Sequence, residues 1–457
     1  MMFPHMRSAS KCTRVIHVFL SQCLLLLTLF ACVYASSVSD RHKPGMDLIP
    51  NSLISLGSDD SPAYAIVVEK HTQTVSLYEC KDTFCLKHKF PCSTGEVAGN
   101  KEKSGDRRTP EGIYFFTRAS KKRYLNPIYG NGAFVMDYPN LLDRKFNRGG
   151  NNIWLHGSNK PIRPRDSNGC VVMNNDDLET VARCIQLNRT PIIVKQDLDM
   201  VPAQNHLADK KSLGSFLEDW QTAFVTGDRA RYSTCYSEAS GDFDTLWRAW
   251  DRIRTTWQRA QIPFDMRLRN LTLLRGNPCA VALFDQVIHM DRQTSTVGTK
   301  KLFLEKNGKT WKIVGEVYQQ DDSDHRDNRL LVTALSRLDQ LRRDHRAIAD
   351  LVAEWADAWR SKDVQRYLAC YAPDFRAGGK DLKAWIRYKE RLNRSYDSIR
   401  VWIEDLKIQQ GPEQSTATFL QRYDSSGHQS VGIKRLRLKC IGGAWKIYRE
   451  TWHKMPR

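Results

Sequence analysis

The stretch I-W-L-H-G-S-N-K-P-I-R-P-R-D-S-N-G-C-V-V-M-N-N-D-D-L, running from Ile153 to Leu178, decides how the rest of the chain is read. Ile153 to His156 reads as a short strand, and a Gly- and Pro-containing loop returns to Cys170, fourteen residues after His156. A free thiol titrates near about 8.5 and is mostly protonated at neutral pH, so a cysteine nucleophile needs a base beside it. His156 is in sequence range to be that base. Gly169 permits a tight backbone approach in which successive amides point at an oxyanion, and Val171, Val172 and Met173 anchor the segment in a core. Read singly, one histidine and one cysteine are packing and half a disulfide. Set in one loop-bounded unit with a glycine beside each, they read as base and nucleophile.

Outward from this unit the text is rich in strands. Ala65–Glu69 and Thr74–Tyr78 form a hairpin about a turn near residues 71–73, and short strands follow at Gly112–Thr117, Ala133–Met136, Ile153–His156 and Pro191–Lys195. One helix is expected from Asn175 to Leu187, capped by Asn174 or Asn175, with Asp176, Asp177 and Glu179 in its first turn. His156-Gly157 followed by Ser167-Asn168-Gly169-Cys170 and Asn174 resembles the signature of YkuD-type L,D-transpeptidases. S-T-G-E at Ser93, G-D-R-R-T-P-E-G-I-Y-F-F at Gly105 and F-V-M-D-Y-P-N at Phe134 are similar to the cleft strands of that family.

The resemblance covers roughly residues 63–197. It implies a mainly-β catalytic domain, a sandwich or flattened barrel with a cleft, that acts on peptidoglycan stem peptides without metal or cofactor. Cys170 would attack the carbonyl joining diaminopimelate to D-alanine, His156 would protonate the leaving amine, and the Gly157 carbonyl would orient the imidazole. Backbone amides of Asn168, Gly169 and Cys170 are the expected oxyanion hole. Ser167, Asn174 and the guanidinium groups of Arg107, Arg163 and Arg165 are the expected substrate contacts. Two positions depart from the family pattern: Asn168 replaces the usual histidine, and Val172 stands where many members carry arginine. Both bear on donor or acceptor preference. An amine acceptor makes the reaction a transpeptidation, possible with a protein as acceptor, and water makes it an L,D-carboxypeptidation.

The second half of the chain repeats itself. F-L-E-D-W-Q-T-A-F-V-T-G-D-R-A-R-Y-S-T-C-Y from Phe216 recurs as L-V-A-E-W-A-D-A-W-R-S-K-D-V-Q-R-Y-L-A-C-Y from Leu351. Trp220 and Trp355, Tyr232 and Tyr367, and Tyr236 and Tyr371 lie 135 residues apart. W-K-I at Trp311 returns at Trp445 with a spacing of 134. Each copy opens on a helix and closes on long alternating strands, and resembles the nuclear transport factor 2-like (SnoaL-like) fold, an α+β cone. The repeated aromatic residues read as core and pocket lining rather than catalysts. A catalytic domain followed by such a module is similar to cell-shape carboxypeptidases of curved and helical Gram-negative bacteria, though the tandem copy departs from that pattern. A non-catalytic envelope-binding protein is the remaining alternative, opposed by the intact His156, Gly169 and Cys170.

The resulting division is a signal peptide at 1–35, a linker at 36–61, the catalytic domain at 62–200, and repeats at 212–320 and 330–457, with Val201–Ser212 and Asp321–Arg329 as joints. Arg7, Lys11 and Arg14 precede an apolar run from Val15 to Tyr34, and Ala35 with Val33 at the −3 position fits signal-peptidase cleavage. The alternative is an uncleaved anchor, the only expected contact with a membrane, and the expected location is the periplasm. The net charge of +19 is spread through all segments without a zinc-finger, RRM-like or basic-helix pattern, so no nucleic-acid partner is expected. Three of the twelve cysteines fall in the signal segment. If Cys170 is the free thiol, Cys80, Cys85, Cys92 and Cys184, then Cys235 and Cys279, then Cys370 and Cys440 remain to pair within their segments. The pairing of the first four stays open.

Overall fold

The computed structural model describes residues 48–57, 62–237, 244–291, 293–319, 329–411 and 413–455. The expected signal peptide, and the expected joint at 321–328, lie outside the described residues. The first part of the chain contains β1 (Leu48–Pro50), β2 (Leu53–Ser55), β3 (Ala63–Glu69), β4 (Thr74–Cys80), β5 (Phe84–Pro91), β6 (Gly112–Lys121), β7 (Gly132–Met136), α1 (Leu141–Lys145), β8 (Trp154–His156), β9 (Val171–Val172), α2 (Asn175–Ala182) and β10 (Pro191–Lys195). Eight of these strands form one sheet in the order β5-β4-β3-β10-β6-β7-β8-β9. Ser93, just past β5, bridges Val172 of β9, so the two ends of the sheet meet and it closes into a flattened barrel.

Alternation along the strands assigns each side chain to one of two cores. Ile66, Val68, Tyr114, Phe116, Leu155, Val171 and Ile192 fill the barrel. Ala65, Val67, Ile113, Phe115 and Ile193 point the other way and pack on Leu274, Val281, Leu283 and Phe303 of the following module. Burial on both faces accounts for strands as uniformly apolar as A-I-V-V.

The first repeat contains β11 (Met200–Pro202), α3 (Leu207–Thr226), α4 (Arg229–Thr234), α5 (Asp244–Arg259), β12 (Phe264–Leu274), β13 (Ala280–Met290), β14 (Gln293–Asn307) and β15 (Thr310–Tyr318). The second contains α6 (Arg329–Arg360), α7 (Val364–Ala369), β16 (Tyr371–Ala377), β17 (Lys380–Asp381), α8 (Leu382–Ser395), β18 (Ile399–Gln410), β19 (Gln414–Ser425), β20 (His428–Ile441) and β21 (Ala444–Lys454). Their sheets run β15-β14-β13-β12-β2 and β17-β16-β21-β20-β19-β18. The parallel bridge of Tyr236 to Ile313 returns as the parallel pairing of Tyr371 with Ile447. Helix α6 spans 32 residues, about 48 Å at 1.5 Å per residue. Its start (Leu331, Leu335, Leu338) closes the first core and its end (Ile348, Val352, Trp355) builds the second. Asp339 and Asp344 accept the indole N–H groups of Trp257 and Trp445, one from each module, both at 3.0 Å.

The same polar chain runs through both cores. Trp220 Nε1 donates to Tyr236 Oη at 3.0 Å, Tyr232 Oη lies 2.9 Å from Tyr236 Oη, and Tyr236 Oη reaches Glu316 at 3.0 Å, with Lys300 on the same carboxylate at 3.1 Å. Trp355, Tyr371, Tyr367, Glu450 and Lys434 repeat it at 2.7, 2.6, 3.0 and 2.6 Å. These repeated Trp and Tyr residues are therefore buried framework, each hydroxyl and indole N–H of the two Trp–Tyr–Tyr series finding the partner that burial demands.

Several expectations need correction. Part of the expected linker is structured: β1 pairs with β11 and β2 adds an edge strand to the first module's sheet. Leu48-Ile49 and Leu53-Ile54 are apolar runs too short to show a period. Likewise the Val201–Ser212 joint is part of β11, a 3-10 turn and the first turns of α3. Helix α2 ends at Ala182 instead of Leu187, where Thr190 Oγ1 takes the Gln186 N–H and caps a turn. Strand β5 escaped reading because Lys87 and Lys89 mark it as an exposed edge. The nine described cysteines are all free. Cys80 and Cys85 lie on opposite faces of a hairpin because Cys80 registers with Phe84, while Cys370 is buried and Cys440 exposed.

Candidate active site

The parallel register of β8 and β9 sets Leu155 against Val171 and His156 against Val172. Extending it by one residue puts Cys170 beside Trp154, and period-2 alternation then turns His156 and Cys170 to the same face. His156 is buried, with Nδ1 2.7 Å from the Gly157 carbonyl. A carbonyl can only accept, so Nδ1 carries the proton and Nε2 is left as the acceptor. Burial lowers the imidazole's pKa, with the Gly157 carbonyl opposing it. The Tyr129 ring meets the imidazole edge-on at 5.0 Å and the Trp154 ring at 4.8 Å, fixing the plane. Asn175 Oδ1 accepts the Asn131 N–H at 2.9 Å and packs against Gly157, tying the H-G turn to the loop before β7.

Cys170 is partly exposed, with Sγ 3.6 Å from the Asn152 carbonyl. Burial of the sulfur pushes its pKa up to about 11, against smaller opposing effects from the Trp154 backbone and the Lys101 ammonium. The resting pair is thus neutral thiol and neutral imidazole, not the standing thiolate that its nucleophile role suggests. Proton transfer to Nε2 has to accompany attack.

The loop around the thiol is held by its own polar groups. Ser167 Oγ donates to the Cys170 carbonyl at 2.7 Å and accepts the Gly169 N–H at 3.1 Å. Gly169 has φ +124, and a Cβ there would lie 2.7 Å from the Arg108 carbonyl. Arg108 is in place because Asp106 gathers the loop. Its carboxylate takes Lys101 Nζ at 2.6 Å and the amides of Glu102, Lys103 and Arg108 at 2.8 to 3.1 Å. Burial opposes ionisation of Asp106, yet Lys101 and the three amides outweigh it and hold the carboxyl well below its usual range.

Of the expected site residues, the fold brings together His156, Gly157, Ser167, Asn168, Gly169 and Cys170. Ser167 serves the loop instead of a substrate, and the Gly169 amide it holds is not open to an oxyanion. Asn174 donates to Asp177 at 3.0 Å at the start of α2. Arg107 is in an exposed pair with Glu96 at 2.6 Å, Arg163 is exposed, and the Arg165 amide is held by Gln73 at 2.8 Å. Sequence reading missed Lys101, Asp106, Tyr129 and Asn175. Asp106 stood inside the quoted G-D-R-R, whereas Tyr129 carries no local signal at all.

Residues 63–194 match the L,D-transpeptidase catalytic domain model (YkuD), and residues 347–451 match the Cds6 C-terminal NTF2-like domain. Among solved structures, Bd1075 of Bdellovibrio bacteriovorus is similar at 21% identity over 90% of this chain and 100% of its own, with a TM-score of 0.34. Pgp2 of Campylobacter jejuni, described as a helical cell shape determining protein, is similar at 24% identity over 58% of this chain and 96% of its own, with a TM-score of 0.44. An NTF2-like protein of Pseudomonas putida KT2440 is similar at 20% identity over 23% of this chain and 82% of its own, with a TM-score of 0.22. No curated protein gives a match to the chain.

Proposed function

We propose that the protein is a periplasmic, peptidoglycan-modifying L,D-transpeptidase that uses Cys170 as nucleophile and His156 as base. The observation carrying this reading is the His156 tautomer: Nδ1–H is committed to the Gly157 carbonyl at 2.7 Å, which leaves Nε2 as the acceptor on an imidazole that strand register puts on the same face as Cys170. Cys170 Sγ attacks the carbonyl between diaminopimelate and D-alanine while Nε2 takes the thiol proton. The tetrahedral oxyanion is held by the Asn168 and Cys170 amides, the Gly169 amide being engaged by Ser167. The C–N bond then breaks, the imidazolium gives its proton to the departing D-alanine nitrogen, and a thioester remains on Cys170. An acceptor amine, deprotonated by Nε2, attacks the thioester and releases the thiol with a new amide.

The test uses purified tetrapeptide muropeptides. Cys170→Ala is expected to abolish D-alanine release with an unchanged melting temperature, and full activity in that variant would remove Cys170 from the mechanism. Adding a diaminopimelate-bearing acceptor and reading products by mass spectrometry separates the two second steps. A cross-linked dimer is the expected product, and tripeptide alone would make the enzyme an L,D-carboxypeptidase.

A further inference from the structure

We propose that the outer face of the second module's sheet is a binding site for a phosphate monoester, formed by Arg376, Arg435, Arg437 and Arg449. These side chains line a pocket of about 530 Å³ between strands β20 and β21 and the hairpin at residues 376–379, with Thr451 and His453 at its side.

Register makes the cluster unusual. Arg376 stands opposite Arg449, and Arg449 opposite Arg437, so three arginines form a row across adjacent strands, with Arg435 two residues along β20. Like charges directly opposite destabilise a sheet. None of the four pairs with a carboxylate among the described residues. Two acidic groups adjoin the cluster, and both have lysine partners: Asp374, which also feels the Arg449 charge, accepts Lys439 Nζ at 2.7 Å, and Glu450, at the pocket's border, is bound to Lys434 and Tyr371. Arg376 and Arg449 donate only to the backbone carbonyls of Phe375, Asp374 and Tyr448, which leaves most of their N–H donors open.

The duplication supplies a second, independent argument. Lys301, Phe303, Gly315 and Val317 occupy the same register positions in the first module as Arg435, Arg437, Arg449 and Thr451 in the second. In the first module that face is covered by the barrel. Phe303 packs into the shared core, Lys301 pairs with Asp137, and Leu141 lies against Gly315. The corresponding face of the second module is exposed. It has exchanged the apolar docking residues Val281, Leu283 and Phe303 for Thr416, Thr418 and Arg437, so these positions no longer offer the apolar surface that seats the barrel on the first module. A second copy of this chain, itself carrying +19, is a poor occupant.

Phosphate fits better than carboxylate. A carboxylate is satisfied by one guanidinium fork, whereas the three oxygens and double charge of a phosphate monoester can engage several guanidiniums at once. Two sources share that chemistry: a phosphorylated sugar in solution and the headgroup of a phosphatidic-acid-like lipid.

The full chain is titrated calorimetrically with inorganic phosphate and with glucose 1-phosphate at constant ionic strength set by chloride. Saturable binding is expected, weakened about tenfold or more in Arg437→Gln and in Arg376→Gln, which remove opposite ends of the row. Each variant is expected to melt no lower than the parent, since each relieves a like-charge contact, and the two together keep the test valid if one folds poorly. Arg394→Gln, on helix α8, is the control expected to bind normally. Retention on phosphatidylcholine vesicles containing phosphatidic acid, but not on phosphatidylcholine alone, would assign the site to a lipid headgroup. Binding of the soluble phosphates without retention would assign it to a solute. Absence of saturable phosphate binding, unchanged affinity in both row variants, or equal affinity for succinate would overturn the proposal.

Discussion

Alkylation of Cys170 tests whether the nucleophile is activated before or during attack. Burial pushes the thiol up to about 11. At pH 7 the thiolate is then about one part in ten thousand, roughly a hundredfold below an unperturbed thiol. Iodoacetamide should therefore modify Cys170 slowly at pH 7, and the rate should climb about tenfold per pH unit up to pH 9 or beyond. Exposed Cys85 and Cys440 will also react, so the rate is read by mass spectrometry on the peptide containing Cys170. Turnover should behave differently, because substrate brings an electrophile to a thiol whose proton His156 can take. Burial lowers the imidazole pKa, so the neutral base persists through neutral pH and activity falls only on acidification. An alkylation rate that is flat from pH 6 to 9 would mean that a thiolate–imidazolium pair already stands in the resting enzyme, and would refute the reasoning.

Two further outcomes follow from buried carboxylates. Asp106→Asn leaves Lys101, almost wholly buried, without its counter-charge, and should lower unfolding free energy by about 3 kcal/mol in chemical denaturation, with a loss below 1 kcal/mol counting against the anchoring role. Asp143, buried at the start of α1, is pushed up from 3.8 to about 6, so the native carboxyl holds its proton more tightly than the unfolded one. Stability is accordingly lost as pH rises from 3.8 towards 6, by roughly 3 kcal/mol in all. Asp143→Asn, whose amide oxygen can still accept the Asn140 N–H, should raise the melting temperature at pH 7.5 and leave it nearly unchanged at pH 4.

Local pattern carried the reading wherever the physics was local. The β3–β4 hairpin, the apolar strands β6 and β10, and the His156–Cys170 loop are set by alternation, glycines and a short loop, all visible in one line of text. Trp220, Tyr232 and Tyr236 announced themselves through their counterparts 135 residues on. Their acidic and basic partners did not, because Lys300 and Glu316 stand in strands where one charge among many has no local mark. Burial of a lysine is decided by the sheet above it. The same holds at the site: Ser167 looked like a substrate contact, and only the folded loop shows its hydroxyl spent on the Gly169 amide and Cys170 carbonyl. The free cysteines show the limit of counting, since parity says nothing about which face a side chain takes.

The two modules differ most where their chains are least coupled. Inside each module, Trp, two Tyr, Glu and Lys form one hydrogen-bonded unit, and removing the Glu or the Lys alone would strand a buried charge at a cost of about 3 to 5 kcal/mol. On the outer face each residue answers only to what covers it. Gly315 shows the consequence: a Cβ there would lie 2.4 Å from the end of the Leu141 side chain of the barrel, so any side chain at this position requires Leu141 to move. Its counterpart is Arg449. With Arg437 in place of Phe303, the second module excludes the barrel on both steric and desolvation grounds. Among the described residues the barrel is seated on the first module, and the matching face of the second module, with Arg437 and Arg449 in the seating positions, is left exposed.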